Sequence, residues 1–559
     1  MLQATASDAN PLDAYINQMR QIIQDGHSQR ANRSLAQMQS EADAFLQQAA
    51  NQFPNVGFAV SVVYQDKPVL TKGYGAAAWQ VPGSCVDADT IFQIGSFSKS
   101  FIAVGIGMLV DAGLVQWDDP VKKHLPWLQL ADKYMEEHVT LGDLMAMNSG
   151  FGPYQGDEAV FFGFDSTERA TAERLKFLPP AGSLRSGHTY VNINTLLLGQ
   201  VIEAVSKKPW PQFLRERVFV PLGMKRTFSS IQTAKANNVS TNIAAGHFVC
   251  GSKVKGPYQL TDDKMNLALG YQDGNLAAGS IVSTANDLAQ FARFLLSNGT
   301  VDNATLLKSP EILRRMTTGK VELNEMFTVM LALAGVLPSP NNGYAVGPGW
   351  GFDVTGQVLW NRAYFDKGGN TACHQTRNGF LPDDKLGVVV MGNGQGTSTL
   401  DTAVLRSYVA GIFLDIPKQY LDAAYMDEMA ALDMMTKVNQ ADAPKGGECG
   451  ADLYDISLTS QIPDPAKWVG KYVNPQAPDY AGPLELQVLP TGDLELQYGR
   501  VNGTVRLIDN APSPVFDNAT TPYRVLLDSR GFGSAFGYLG IVNGSRAVQF
   551  TDKVLIQEA

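Results

Sequence analysis

Residues 101–110 (Phe101-Ile102-Ala103-Val104-Gly105-Ile106-Gly107-Met108-Leu109-Val110) carry no polar side chain, and Asp111-Ala112-Gly113 closes the run. That pattern predicts a helix buried on all sides and too short to span a bilayer. Thr195-Leu196-Leu197-Leu198-Gly199-Gln200-Val201-Ile202 predicts a second apolar helix. From residue 90 to residue 300 the pattern reads mainly helical, so this stretch should form an all-α lobe. Sheet strands are predicted elsewhere: a hairpin of strands 56–64 and 69–73 turning at Asp66-Lys67, then strands over 349–355, 363–367 and 386–391. Helices over 35–52 and 400–413 should pack against that sheet, leaving a cleft between it and the lobe. A further apolar run, residues 326–337, reads as a core helix or as a lid over a pocket.

Past residue 413 the pattern changes. Residues 418–438 predict a helical connector, and a Gly/Pro/Asp-rich linker follows. Then Leu484-Glu485-Leu486-Gln487-Val488-Leu489 and Leu494-Glu495-Leu496-Gln497-Tyr498 alternate around Pro490-Thr491-Gly492-Asp493, a strong hairpin signal. More short strands are predicted at 504–508, 523–527 and 547–550, which suits a small antiparallel barrel. The organisation expected is an N-terminal extension (1–34), a main domain (35–416), a connector and linker (417–462) and a barrel domain (463–559).

Composition adds exclusions. A chain of 559 residues with 45% hydrophobic and 18% charged residues can bury a large core in two or three domains. Its net charge of −10 gives no support for nucleic acid or an anionic membrane as partner. Cys85, Cys250, Cys373 and Cys449 are far apart and form no metal-ligand spacing, so no metal or other cofactor is implied and disulfides stay open. The N-terminal residues show no basic and apolar signal-peptide pattern, which leaves the compartment open between secreted and cytoplasmic.

The candidate chemistry sits just before the first apolar helix, in Gln93-Ile94-Gly95-Ser96-Phe97-Ser98-Lys99. Residues i and i+3 share a helix face, so Lys99 should meet Ser96. An amine in a water-poor site loses proton affinity and can take the proton of a serine hydroxyl, making Ser96 a nucleophile with its own base. Ser252-Lys253-Val254-Lys255 has the same spacing but lies in a polar stretch, and reads as surface loop. Two later segments supply what the nucleophile lacks. Tyr190-Val191-Asn192 offers a proton relay in Tyr190 and a polar partner for Lys99 or the acyl amide in Asn192. Phe365-Asp366-Lys367-Gly368-Gly369-Asn370-Thr371 offers a cation and a glycine edge whose Asn370 amide could join that of Ser96 in holding an oxyanion. Lys367 should favour phenolate character at Tyr190.

These three motifs, in this order, resemble the serine β-lactamase and penicillin-binding-protein superfamily, in particular its class C-like group of esterases, D-aminopeptidases and acyltransferases. Flanking segments such as Trp117-Asp118-Asp119-Pro120-Val121, Ala277-Ala278-Gly279-Ser280 and Gly349-Trp350-Gly351-Phe352 extend the likeness over residues 35–415. It implies an α+β, β-lactamase/transpeptidase-like fold: an antiparallel sheet flanked by helices plus an all-α lobe, with a C-terminal antiparallel β-barrel of lipocalin-like type. It also implies Ser96 as nucleophile, Lys99 as base, Tyr190 as proton relay, and Asn192, Lys367, Gly369 and Asn370 as the substrate and oxyanion residues. Two departures bear on substrate. Relatives that act on β-lactams or peptidoglycan carry a hydroxyl residue after the strand lysine, where it binds the substrate carboxylate, and here that residue is Gly368. Cys373 and His374 replace a glycine and an aromatic, which makes His374 a candidate second base beside its commoner role as a structural strand residue. The expected activity is that of a serine hydrolase forming an acyl-enzyme from an amide, peptide or ester. Acyl transfer or peptide cyclisation on the same acyl-enzyme, and a non-catalytic binding protein on the same fold, are the alternatives. The partner expected is a small molecule or peptide substrate, with no nucleic acid and no membrane span, and self-association is left open.

Overall fold

The computed structural model describes residues 11–53, 56–262, 275–321, 347–354, 360, 362–396, 401–439, 443–513, 515–517, 521–529, 533–550 and 553–558. The apolar run 326–337 lies outside the described residues.

The centre is a five-stranded antiparallel sheet in the order Gly369–Asn370, Gln375–Leu381, Leu386–Gly392, Gly57–Tyr64, Lys67–Gly75. Leu386–Gly392 is apolar from end to end because both of its faces are covered. Phe58, Val60, Val62, Val388 and Val390 form one cluster with residues of helices Leu35–Gln52 and Thr402–Phe413. Ala59, Val63, Val389 and Met391 join Phe97, Phe101 and Phe291 of the helical lobe in another. The first hairpin turns one residue earlier than expected, at Gln65 and Asp66, both with positive φ (50° and 66°) as a tight two-residue turn requires.

Three expectations need correction. The expected strand over 349–355 is reduced, in its described residues, to Asp353–Val354. Residues 363–367 make no regular strand; Phe365 and Asp366 form only single bridges to Phe380 and Asp353. The Asn378 side chain takes the place of the ladder there: its Oδ1 accepts from Lys367 N at 2.8 Å and its Nδ2 donates to Lys367 O at 2.7 Å. The lobe between 90 and 300 is not purely helical, since Gly246–Cys250 and Lys253–Tyr258 form a hairpin that pairs with Gly394–Gln395. Of the second Ser-x-x-Lys, Ser252 lies exposed at its turn and Lys255 lies exposed within strand Lys253–Tyr258, opposite Phe248. Cys250 on that hairpin is disulfide-bonded to Cys449. In the N-terminal extension, helix Pro11–Ser28 packs on the fold: Met19 and Ile23 are buried, and Gln18 Nε2 donates to Asp427 of helix Lys418–Asn439 at 2.7 Å.

The C-terminal strands close an antiparallel barrel of eight, each pairing with the next from Gly470–Val473 to Lys553–Gln557, which returns to the first. Leu484, Leu486, Leu494, Leu496, Val525, Leu527, Val548 and Leu555 pack together inside it. Strand Gly533–Val542 escaped the sequence pattern because Gly537 and Gly540 interrupt its alternation; a Cβ at Gly540 would lie 2.3 Å from the Phe516 ring. The barrel is seated on the lobe by Phe162, whose ring lies 5.0 Å from that of Tyr498 and 5.3 Å from that of Phe550. Tyr480 Oη donates to Gly156 O at 2.9 Å, and Arg500 donates from its backbone to Phe162 O and from its side chain to Asp165 O, both at 2.8 Å. Among the described residues no helix is long and apolar enough to cross a membrane.

Candidate active site

Ser96 lies in a 3₁₀ turn, Gly95–Phe97, that runs straight into the apolar helix Ser98–Asp111. In that tighter winding residues three apart nearly eclipse, and the Lys99 Nζ comes to 3.0 Å from Ser96 Oγ. Gly95 is required at the start of the turn, where φ is +53° and a Cβ would strike the backbone of Asn370 at 2.6–2.8 Å. The edge strand Gly369–Asn370 thus lies flat against the nucleophile turn. A Cβ on Gly369 would sit 2.0 Å from Ile94 O and 2.8 Å from Ser96 N.

Lys99 is buried and donates to two further acceptors, Asn192 Oδ1 at 2.8 Å and Ala278 O at 2.7 Å. Asn192 opens helix Asn192–Ser206, and its orientation is set by Asp157, whose Oδ2 accepts from Asn192 Nδ2 at 2.7 Å. The Ala278 carbonyl is placed by Glu168, which accepts from Ala277 N at 2.8 Å and from Trp210 Nε1 at 2.7 Å. Tyr190 stands one residue before the N-cap of the same helix, with its hydroxyl 2.5 Å from Ser96 Oγ. The Nζ atoms of Lys99 and Lys367 lie 4.9 Å and 5.2 Å from the centre of its ring. Lys367 is buried and its Nζ donates to Asp353 Oδ2 at 2.6 Å.

Burial decides the charge states. It drives Lys99 well below the ordinary lysine range, with the Lys367 charge acting the same way and Asp157 and Asp353 opposing. A neutral amine has two N–H donors and one lone pair. Asn192 Oδ1 and Ala278 O can only accept, so they take both donors and leave the lone pair facing the Ser96 hydroxyl. Burial also pushes Tyr190 up to about 12, against the pull of Lys367 and Ser96. Phenolate character, expected from Lys367, therefore does not develop near neutral pH: the cation acts in that direction but desolvation outweighs it. Burial would lower Lys367, yet Asp353 and Tyr190 more than compensate and it stays protonated. Asp157 is pushed by burial up to about 7.

Ser96, Lys99, Tyr190, Asn192, Lys367, Gly369 and Asn370 thus converge on one site. His374 does not touch them. It packs against the Phe92 ring at 5.7 Å, accepts from Gln93 N at 3.1 Å through Nδ1, and is pushed by burial down to about 3. Asp157, Ala278 and Asp353 also belong to the site and went unnoticed in the sequence. Ala278 acts through its backbone, and the two carboxylates reach their partners across 35 and 14 residues of chain with no local spacing to mark them.

The profile of the Beta-lactamase family matches residues 43–409 of the chain. An unguisins hydrolase of Aspergillus campestris is 28% identical over 250 residues, 43% of this chain and 44% of that protein. Penicillin-binding protein 4 of Amycolatopsis lactamdurans is 28% identical over 247 residues, 43% of this chain and 58% of its own. A beta-lactamase of Escherichia coli is 25% identical over 347 residues, 60% of this chain and 84% of that enzyme. The chain therefore spans about half the length of the first two relatives. In fold it is similar to the octameric penicillin-binding protein homologue from Pyrococcus abyssi, with a TM-score of 0.53 at 19% identity over 93% of this chain and 99% of that one. With more than half of its residues matched by one family profile and the fold to go with them, the chain belongs to the beta-lactamase family.

Proposed function

We propose that the protein is a serine hydrolase that forms an acyl-enzyme on Ser96 from an ester, amide or peptide. The observation that carries this reading is the three-way arrangement about Lys99 Nζ, in which two obligate acceptors hold a deeply buried amine with its lone pair toward Ser96. The Ser96 proton passes to Lys99 as Oγ attacks the substrate carbonyl carbon. Negative charge develops on the carbonyl oxygen, and the backbone N–H groups of Ser96 and Asn370 are its donors. Collapse of the tetrahedral adduct breaks the bond to the leaving nitrogen or oxygen, which takes a proton from Tyr190 Oη. The Lys99 ammonium then returns a proton to the Tyr190 oxygen, while Ser96 Oγ keeps the acyl group. Water then attacks the acyl carbon along the same relay and regenerates Ser96. Asn192, held by Asp157, keeps the amine in register throughout.

Hydrolysis as the outcome is in keeping with the names of the hydrolase and beta-lactamase relatives. Intact-mass spectrometry after exposure to a fluorophosphonate tests the reading. One adduct is expected on the wild type and none on Ser96→Ala, with turnover of p-nitrophenyl esters lost in parallel. A wild type that neither labels nor turns over any ester or aminoacyl amide refutes it.

A further inference from the structure

We propose that Asp353 sets the substrate class of this cleft, closing Lys367 to anions so that the acyl donor carries no carboxylate beside the bond that is cleaved. The inference deepens the hydrolase reading and rests on it.

Three observations lead there. The cation has a resident counter-ion: Lys367 Nζ donates to Asp353 Oδ2 at 2.6 Å, and the lysine side chain is only 6% exposed. On its interior side, the cavity that both residues line with Lys99, Gly351 and Met145 measures about 10 Å³, room for a single water, so no second anion reaches Lys367 from there. The hydroxyl that would complete a carboxylate site is missing at Gly368.

Asp353 is held firmly in this position. Its backbone N–H donates to Asp366 O at 2.7 Å and its carbonyl accepts from Asp366 N at 2.8 Å, one residue from Lys367. Two residues earlier, Gly351 O accepts from Ser100 Oγ on the nucleophile helix at 2.7 Å. The carboxylate is thus anchored to both walls of the site and keeps 21% of its surface exposed. An incoming carboxylate meets a neutralised lysine and an exposed like charge, a repulsion that low-dielectric surroundings strengthen. A neutral or cationic group at the same place meets no such opposition. The other cation nearby, Arg377, has its Nη1 committed to Thr376 O at 2.8 Å, Asn370 Oδ1 at 3.0 Å and Gly369 O at 3.4 Å, which clamps the edge strand.

The experiment compares matched substrates. N-acyl aminoacyl p-nitrophenyl esters with a side-chain carboxylate, and the same compounds with that carboxylate methylated, are assayed for kcat/KM on the wild type, Asp353→Asn and Arg377→Gln. The wild type is expected to favour the methylated member by at least about tenfold, and Asp353→Asn to shrink that preference by about tenfold through better use of the carboxylate member. A wild type that prefers the carboxylate member overturns the proposal without any variant having to fold. Loss of such a preference in Arg377→Gln would then assign anion binding to Arg377. Equal loss on both substrates in a folded Asp353→Asn overturns it too, reducing Asp353 to a structural partner. Fluorophosphonate labelling of the wild type separates the two claims: labelling with the wrong selectivity sinks this proposal alone, whereas no labelling sinks the hydrolase reading beneath it.

Discussion

Replacing Gly369 by alanine puts a single methyl group at the most crowded point of the site. The added Cβ would stand 2.0 Å from Ile94 O and 2.8 Å from both Ser96 N and Phe97 N, where ordinary contacts begin near 3.4 Å. All three neighbours are backbone in a turn that leads into a buried helix, so the edge strand must retreat by more than an ångström. Overpacking of this kind costs about 1–3 kcal/mol of stability. The larger effect falls on rate. The retreat carries the Asn370 amide away from Ser96, and loss of one oxyanion donor costs about 2.7–4 kcal/mol, or about 10²–10³ in kcat. The neighbouring glycine is the control. The three atoms nearest a Cβ on Gly368 belong to the Arg377 side chain, at 3.3–3.5 Å, and a shift of a few tenths of an ångström relieves them without releasing the edge strand. Steady-state hydrolysis of a p-nitrophenyl ester, with a thermal melt of each variant, should therefore show Gly369→Ala folded but slower by at least about a hundredfold, and Gly368→Ala within about fivefold of wild type. A folded Gly369→Ala with kcat within about threefold of wild type would remove the Asn370 amide from the oxyanion site.

Four more expectations follow from the same geometry. Because Lys99 must be neutral to accept the Ser96 proton and burial lowers its pKa, kcat/KM should rise with pH and reach its plateau well below the range in which an ordinary lysine titrates; a limb centred where free lysine ionises would contradict this. Tyr190, at about 12, should add no falling limb up to about pH 10, and Tyr190→Phe should lower kcat by about 10²–10⁴ while leaving the melting temperature nearly unchanged. Asp157 titrates at about 7 when folded and near 4 when unfolded, so the folded state binds the extra proton between those values; this group's contribution to stability falls as pH rises through that window, and Asp157→Asn should flatten the pH dependence seen in urea melts. Tyr480→Phe leaves the Gly156 carbonyl with the longer bond from Ala159 N at 3.3 Å and should cost about 0.5–1.5 kcal/mol in the same melts.

The contact of Ser96 with Lys99 was legible because it is local: three residues along a helical turn, with an apolar helix behind them to explain why the amine is dry. Tyr190 and Asn192 could be found because they stand at the start of a second such helix. Asp353 and Asp157 could not, since a carboxylate at the start of a short helix or in a two-residue strand looks solvated until the fold brings it against a buried amide or ammonium. The same holds for the sheet. The uniform apolarity of Leu386–Gly392 announced a central strand, whereas the edge at Gly369–Asn370 depends on Asn378 offering a side-chain amide in place of a strand backbone. In the barrel, the Leu-Glu-Leu hairpin was legible from its period, and Gly533–Val542 was hidden by glycines that make room for neighbours such as Phe516.

The seat of the barrel on the lobe also sets an order of events during synthesis. Tyr480 follows its acceptor Gly156 by 324 residues, and at cellular elongation rates the ribosome needs roughly 16 to 65 s to make that stretch. For that interval Phe162 and the Gly156 carbonyl wait in a chain whose Ser96 and Lys99 precede them and whose Tyr190 follows shortly after. Asp157, the neighbour of Gly156, is the residue that holds Asn192 against Lys99. The lobe thus leaves the ribosome long before its contacts with the barrel can form.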